Sequence, residues 1–137
     1  MKKTLIITSL VFITSLSFTQ AKVNINNLKK YGDKVFKVDD EKPYSGRVFD
    51  LFETTGKKTL EGRYRNGLRN GKWTWWSEGG KMGSLGTYKN GIKDGKWTRW
   101  YENGQKKEEG TYKDGKEDEL LTDWYENGQK KMEGTYN

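Results

Sequence analysis

A 24-residue period runs through this chain and limits what it can fold into. Gly71-Lys72-Trp73-Thr74 returns as Gly95-Lys96-Trp97-Thr98, and Trp76, Trp100 and Trp124 keep the same spacing. So do Gly56, Gly80, Gly104 and Gly128, then Gly62, Gly86, Gly110 and Gly134, then Tyr64, Tyr88, Tyr112 and Tyr136. Several series in phase at one period describe stacked supersecondary units, not one globular core. Proteins of this kind work through extended surfaces.

The unit from Gly95 to Asp118 is representative. Its aromatic stretch Gly95–Tyr101 reads as a strand, and Lys106–Tyr112 as the return strand. Asn103-Gly104 between them suits a two-residue type I′ turn, which needs two residues with positive φ. That turn places Trp97 opposite Gly110, Arg99 opposite Glu108 and Trp100 opposite Lys107. The same placement sets Trp73 opposite Gly86, Phe49 opposite Gly62 and Leu121 opposite Gly134, so a large apolar residue faces a glycine in every unit. Each indole is then expected to lie over the bare backbone of its own hairpin.

Strand side chains alternate between faces. Phe49, Trp73, Trp97 and Leu121 should form one row, and Phe52, Trp76, Trp100 and Trp124 a second row on the opposite face. The expected fold is all-β: an elongated antiparallel β-meander of stacked β-hairpin repeats, forming a single-layer twisted sheet. No hairpin of this size is stable alone, so the rows must hold the stack together.

The ends differ. Met1-Lys2-Lys3, the apolar run Leu5–Phe18 and Thr19-Gln20-Ala21 read as a signal peptide spanning 1–21. The apolar run is shorter than the roughly 20 residues of a spanning helix. Residues 22–30 are polar and read as a flexible linker. Val35–Val38 reads as a lone strand capping the first hairpin. The repeat domain is placed at 31–137, with repeats at about 46–70, 71–94, 95–118 and 119–137. The expected location is outside the cytoplasm: periplasm, cell surface or extracellular.

Composition removes several chemistries. The chain has no cysteine and no histidine, so thiol, imidazole and Cys/His zinc chemistry are absent. Its formal charge of +7 loses two lysines with the leader and reads as lysine-rich solvated faces rather than a nucleic-acid footprint. Gly67–Lys72 lacks P-loop spacing. Glu117-Asp118-Glu119 with Asp123 has no calcium-loop spacing and reads as a solvated loop. Carboxylates such as Glu102 and Glu126 recur with the turn, which argues against a unique acid/base pair. No enzyme, cofactor or metal is expected.

The motif Gly-Lys-Trp-Thr-x-Trp-Tyr-Glu-Asn-Gly-Gln-Lys-Lys-x-x-Gly-Thr-Tyr-Lys-Asp-Gly resembles the MORN repeat variant (MORN_2), and is similar to repeats of the YwqK family of toxin–antitoxin antitoxins. The resemblance implies β-hairpin repeats in an elongated sheet, with scaffolding or binding roles and no shared catalytic residues.

Trp75, Arg99 and Asp123 occupy one repeat position yet differ, so the fold does not fix this place. With Tyr101 and Tyr125 they form the candidate partner-binding row. Trp76, Trp100 and Trp124 form a second candidate face. The expected function is a secreted or envelope scaffold that binds a protein partner. An exported antitoxin or immunity protein, and a binder of cell-envelope glycan or anionic lipid, are the alternatives.

Overall fold

The computed structural model describes residues 21–136, so the proposed leader, except Ala21, lies outside the described residues. In place of a flexible linker, residues 22–30 carry β1 (Val23–Asn24), a 3₁₀ turn (Ile25–Asn27) and most of β2 (Leu28–Tyr31). Asn24 caps the 3₁₀ turn by accepting from the Asn26 N–H at 2.8 Å. β2 pairs with β3 (Lys34–Lys37), so the Val35–Val38 segment is not a lone strand. Polarity had hidden these elements because their apolar residues, Val23, Ile25, Leu28 and Val35, are few. Each of them packs against the first hairpin's core.

The repeats form one antiparallel meander. β4 (Gly46–Leu51) and β5 (Lys58–Arg65) make the first hairpin, followed by the short β6 (Leu68–Arg69). β7 (Gly71–Trp76) and β8 (Met82–Lys89) make the second, followed by β9 (Ile92–Lys93). β10 (Gly95–Trp100) and β11 (Lys106–Lys113) make the third. β12 (Lys116–Trp124) and β13 (Lys130–Tyr136) make the fourth. The sheet runs β1-β4-β5-β7-β8-β10-β11-β12-β13, with β1 parallel to β4. The acidic stretch 117–119 is therefore part of strand β12, not a loop.

Two kinds of turn alternate. The Asn103-Gly104 turn is not type I′. Gly104 N–H donates to the Tyr101 carbonyl at 2.9 Å, Tyr101 N–H donates to the Gln105 carbonyl at 2.9 Å, and only Gly104 has positive φ. This is a type I turn closed by a glycine bulge. The type I′ turns are at the other edge, in the connections Asn66-Gly67, Asn90-Gly91 and Asp114-Gly115, where both residues have positive φ. Here each glycine N–H staples its turn to the preceding unit: Gly67 to Tyr44 O (2.8 Å), Gly91 to Arg69 O (2.8 Å), Gly115 to Lys93 O (3.0 Å).

The register pairs Trp97 with Gly110 and Arg99 with Glu108, as expected, but Trp100 with Lys106 rather than Lys107. The bulge turn shifts pairing by one residue, and Lys107, an extra residue in the return strand, shifts it back. Trp73 pairs with Gly86 and Leu121 with Gly134. In the first hairpin Val48, not Phe49, faces Gly62, because the loop 53–56 is one residue longer than its counterparts. Val48 is fully buried in the place that Trp73 holds in the next unit.

The indoles do not cover their own hairpins. Trp73 lies over Gly62 and Trp97 over Gly86, the glycines of the preceding return strands, so that any Cβ there would fall inside the ring. Trp73 Nε1 donates to Arg63 O at 3.2 Å, and Trp97 Nε1 to Thr87 O at 3.1 Å. Leu121 covers Gly110 in the same way, its Cδ1 2.8 Å from where a Cβ would stand. Between hairpins the ladder is short: only Leu60↔Trp75 and Glu61↔Thr74 pair across the first seam, and Thr98↔Leu85 and Arg99↔Ser84 across the second. Asn70–Trp73 spans a gap that faces only Gly62 and Arg63, and this slack lets the ring tuck down. Gly71, at φ 73°, turns the chain there.

This arrangement predicts unequal glycines. Gly86→Val should destabilise the fold by about 1–3 kcal/mol through overpacking against Trp97. Gly134→Ala, with nothing within 4 Å of the added carbon, should stay within about 0.5 kcal/mol of the parent protein. Urea unfolding of the two variants checks the contrast.

Candidate functional site

One face of the sheet carries an aromatic ladder. Tyr44, Tyr64, Trp73, Tyr88, Trp97 and Tyr112 meet edge-to-face in sequence, with centroids 5.2–6.5 Å apart. Cations lie on its rings. The Arg69 guanidinium sits 4.6 Å from the Trp73 centroid and 5.3 Å from that of Tyr88, and donates to Tyr88 Oη at 3.1 Å. The next repeat places Lys93 Nζ 4.5 Å from Trp97 and 4.3 Å from Tyr112. Burial, then the nearby Arg99 charge, lowers the Lys93 pKa.

The first candidate row is only partly assembled. Trp75 is not a lone exposed ring. It is half-buried, stacked on Trp73 with centroids 5.9 Å apart and 5.7 Å from Trp97. It therefore belongs to the ladder. Trp75 and Arg99 line one hollow of about 500 Å³, together with Tyr88, Lys93, Trp97, Glu102 and, at the strand end, Trp76 of the second candidate row. Arg99 is exposed and reaches Glu108 at 3.3 Å. Tyr101, Asp123 and Tyr125 stand outside that hollow. Tyr101 donates to Trp124 O at 2.9 Å, Asp123 pairs across the ladder with Glu108, and Tyr125 is 50% exposed. The sequence reading missed Lys93 and Tyr88. Lys93 repeats the cation at Arg69, a signal visible at the 24-residue spacing.

The opposite face presents the second candidate row. Trp76, Trp100 and Trp124 are each half-exposed and each borders a hollow. Between them run buried threonines, Thr74, Thr98 and Thr122. Carboxylates on this face are crowded by ammonium groups. Lys22 (2.8 Å) and Lys58 (2.7 Å) hold the Glu61 pKa down to about 2, and Arg47 lies 3.5 Å away. Glu109 takes Lys106 at 2.7 Å and Lys96 at 2.9 Å; burial opposes ionisation there, but the two lysines outweigh it and lower its pKa. Among the described residues no group of three His, Cys, Asp or Glu residues is placed to hold a metal.

Residues 69–90, 93–114 and 120–137 match the MORN repeat variant family, and this part of the chain is assigned to it. No curated protein and no solved structure matches the chain. The matched segments are those whose units keep the 24-residue phase. The first hairpin, with its longer loop and Val48 in the tryptophan place, falls outside them. The match thus covers the second and third hairpins and most of the fourth.

Two predictions separate packing from surface. Trp75→Ala should lower stability by about 1–3 kcal/mol, since it removes a ring from the ladder, whereas Arg99→Ala should cost under about 0.5 kcal/mol. Thermal unfolding checks both. Glu61 has a folded pKa near 2 against 4.5 unperturbed, so its contribution is complete above about pH 4.5 and is lost as pH falls through about 2. The stability gap between the parent protein and Glu61→Gln should accordingly shrink across that window in acid titration of unfolding.

Proposed function

We propose that this protein is an exported, non-enzymatic scaffold whose ladder face docks a protein partner. The observation that carries the reading is the hollow of about 500 Å³ between the second and third hairpins. Its walls, Trp75, Tyr88 and Trp97, are rings already held rigid by the ladder, so a partner side chain entering it costs little ordering of the scaffold. Its rim carries Lys93 and the exposed Arg99, and aromatic rings beside arginine are the usual makeup of interface hot spots. Asp50, Trp75, Arg99 and Asp123 share this repeat position, so the rim differs from one unit to the next and can set specificity.

Export is supported by the order of Lys2-Lys3, the apolar run Leu5–Phe18 and Ala21. Lys22, which would become the first residue, already has a place in the fold through Glu61.

A photo-crosslinking residue placed at Arg99 in growing cells should give one discrete protein adduct. The same residue at Lys113, on a type I′ turn edge, should not. The purified protein should begin at Lys22. Equal labelling from both positions, or none from either, would overturn the docking reading; an intact Met1 on the purified protein would overturn export.

A further inference from the structure

The face opposite the ladder carries a different set of groups: indoles outside the buried core, one in each of the second, third and fourth hairpins, and an excess of cations over carboxylates around Glu61 and Glu109. Trp76, Trp100 and Trp124 recur at one position of successive units. Each hairpin adds two strands, so this row advances by about 10 Å per indole. Lysines recur beside it, with Lys58 Nζ 5.3 Å from the Trp76 centroid and Lys106 Nζ 5.5 Å from that of Trp124.

The positive charge is cancelled only in part, most fully in the fourth hairpin, where Lys130 pairs with Glu133 alone. Three cations share Glu61 and two share Glu109, while Lys72 has no carboxylate within 4.0 Å among the described residues. The middle unit departs from this pattern in a useful way. Where its neighbours place Lys58 with Glu61 and Lys106 with Glu109, it has Met82 and Leu85. The floor beside Trp100 is therefore apolar. A hollow of about 300 Å³ there is lined by Lys72, Leu85, Lys96, Trp100, Lys106 and the carboxylate Glu109, so three lysines face one acid. A second, of about 500 Å³, lies between Trp100 and Trp124 and shares Trp100 and Lys106 with the first. The two hollows thus meet along one rib.

We propose that this face binds a β-linked polysaccharide carrying one carboxylate per disaccharide, one disaccharide to each hairpin. The C–H face of a β-linked pyranose is flat, apolar and positively polarised, and it stacks on an indole face. An extended disaccharide matches the advance of the row, so stacked sugars recur in step with the tryptophans and the carboxylates fall among the lysines that flank them. An extended peptide does not match: its same-side residues repeat every 7 Å or so. A polyproline helix comes closer, at about 9 Å per turn, but its backbone brings no charge to the lysines. The sheet twists by about 45° per hairpin, so the row suits a single pliable chain rather than a flat crystalline surface.

The test uses protein purified from cells expressing the full chain, titrated by calorimetry with hyaluronan oligosaccharide long enough to cross three hairpins. Comparison probes are an uncharged β-1,4-glucose oligomer of equal length, poly-glutamate of equal charge and a proline-rich peptide. Hyaluronan should bind most tightly and shift the tryptophan fluorescence. Trp100→Ala and Lys72→Gln should each weaken it about tenfold or more, with melting unchanged for Lys72→Gln. Should Trp100→Ala fold poorly, Trp100→Phe should retain binding while Lys72→Gln still loses it. Poly-glutamate binding as tightly as hyaluronan, tighter binding of the proline-rich peptide, or no response to either substitution would overturn the proposal. Because Arg99 and Trp75 lie on the other face, Arg99→Ala should leave hyaluronan binding unchanged.

Discussion

The seating of an indole over a bare glycine is the contact on which the rest of this molecule depends. A single-layer sheet has no second layer to bury its faces, and the ladder between hairpins is only two residue pairs long at each of the first two seams. Trp73 is nevertheless fully buried and Trp97 nearly so. Each achieves this by lying flat across the backbone of the preceding hairpin and donating its N–H to the carbonyl just beyond the glycine. Burying a large aromatic contributes roughly 2–3 kcal/mol. The indole thus supplies at each seam much of what the missing hydrogen bonds would have supplied. The contact also has a direction, since each unit leans on the one before it.

That direction organises the two edges of the sheet. At the type I′ edge, each turn glycine donates to a carbonyl of the preceding unit, so the turns are stapled in series. At the other edge the contacts between loops are made by side chains: Lys81 Nζ to Glu102 O at 2.8 Å, and Asn103 Nδ2 to Glu126 O at 2.7 Å. The first edge is held by backbone and the second by long polar groups that water competes for. Trp76, Trp100 and Trp124 end their strands beside this second edge, where solvent reaches them.

The period, the strand pairs and the pairing of tryptophan with glycine were all legible in the sequence, because each follows from residues repeating in phase. The register of Trp97 and Arg99 was legible for a less direct reason. The turn is not the type that Asn103-Gly104 suggests, but the one-residue shift it introduces is undone by the extra residue Lys107. Trp100, lying between those two features, shows the shift. In the first hairpin an extra loop residue is never undone, so Val48 takes the place that a fixed period assigns to Phe49. Which glycine an indole covers was not legible at all. Trp97 stands between Gly86 and Gly110, and only the four-residue arch Asp94–Trp97 decides that it leans toward Gly86. The candidate row shows the same limit. Variation at Trp75, Arg99 and Asp123 is visible in sequence, but the stacking of Trp75 between Trp73 and Trp97 depends on the direction of lean.

The two faces therefore carry aromatic residues for different reasons. On the ladder face Trp73, Trp97 and the tyrosines are held by one another, and Arg69 and Lys93 lie on their rings. Losing one of these rings would leave the next seam unsupported. A position such as that of Trp75 is free to vary because it reinforces rows that are already closed; Arg99 and Asp123 hold the same place without a ring. On the opposite face the threonines fill the strand centres and the indoles close no seam. Large apolar rings kept half-exposed there gain little stability for the fold, and lysines crowded around too few carboxylates reduce what the fold gains from its ion pairs. The tryptophan–lysine row recurs in step with the fold without holding it together, and that is the ground on which we propose it, apart from the ladder face, as a ligand surface.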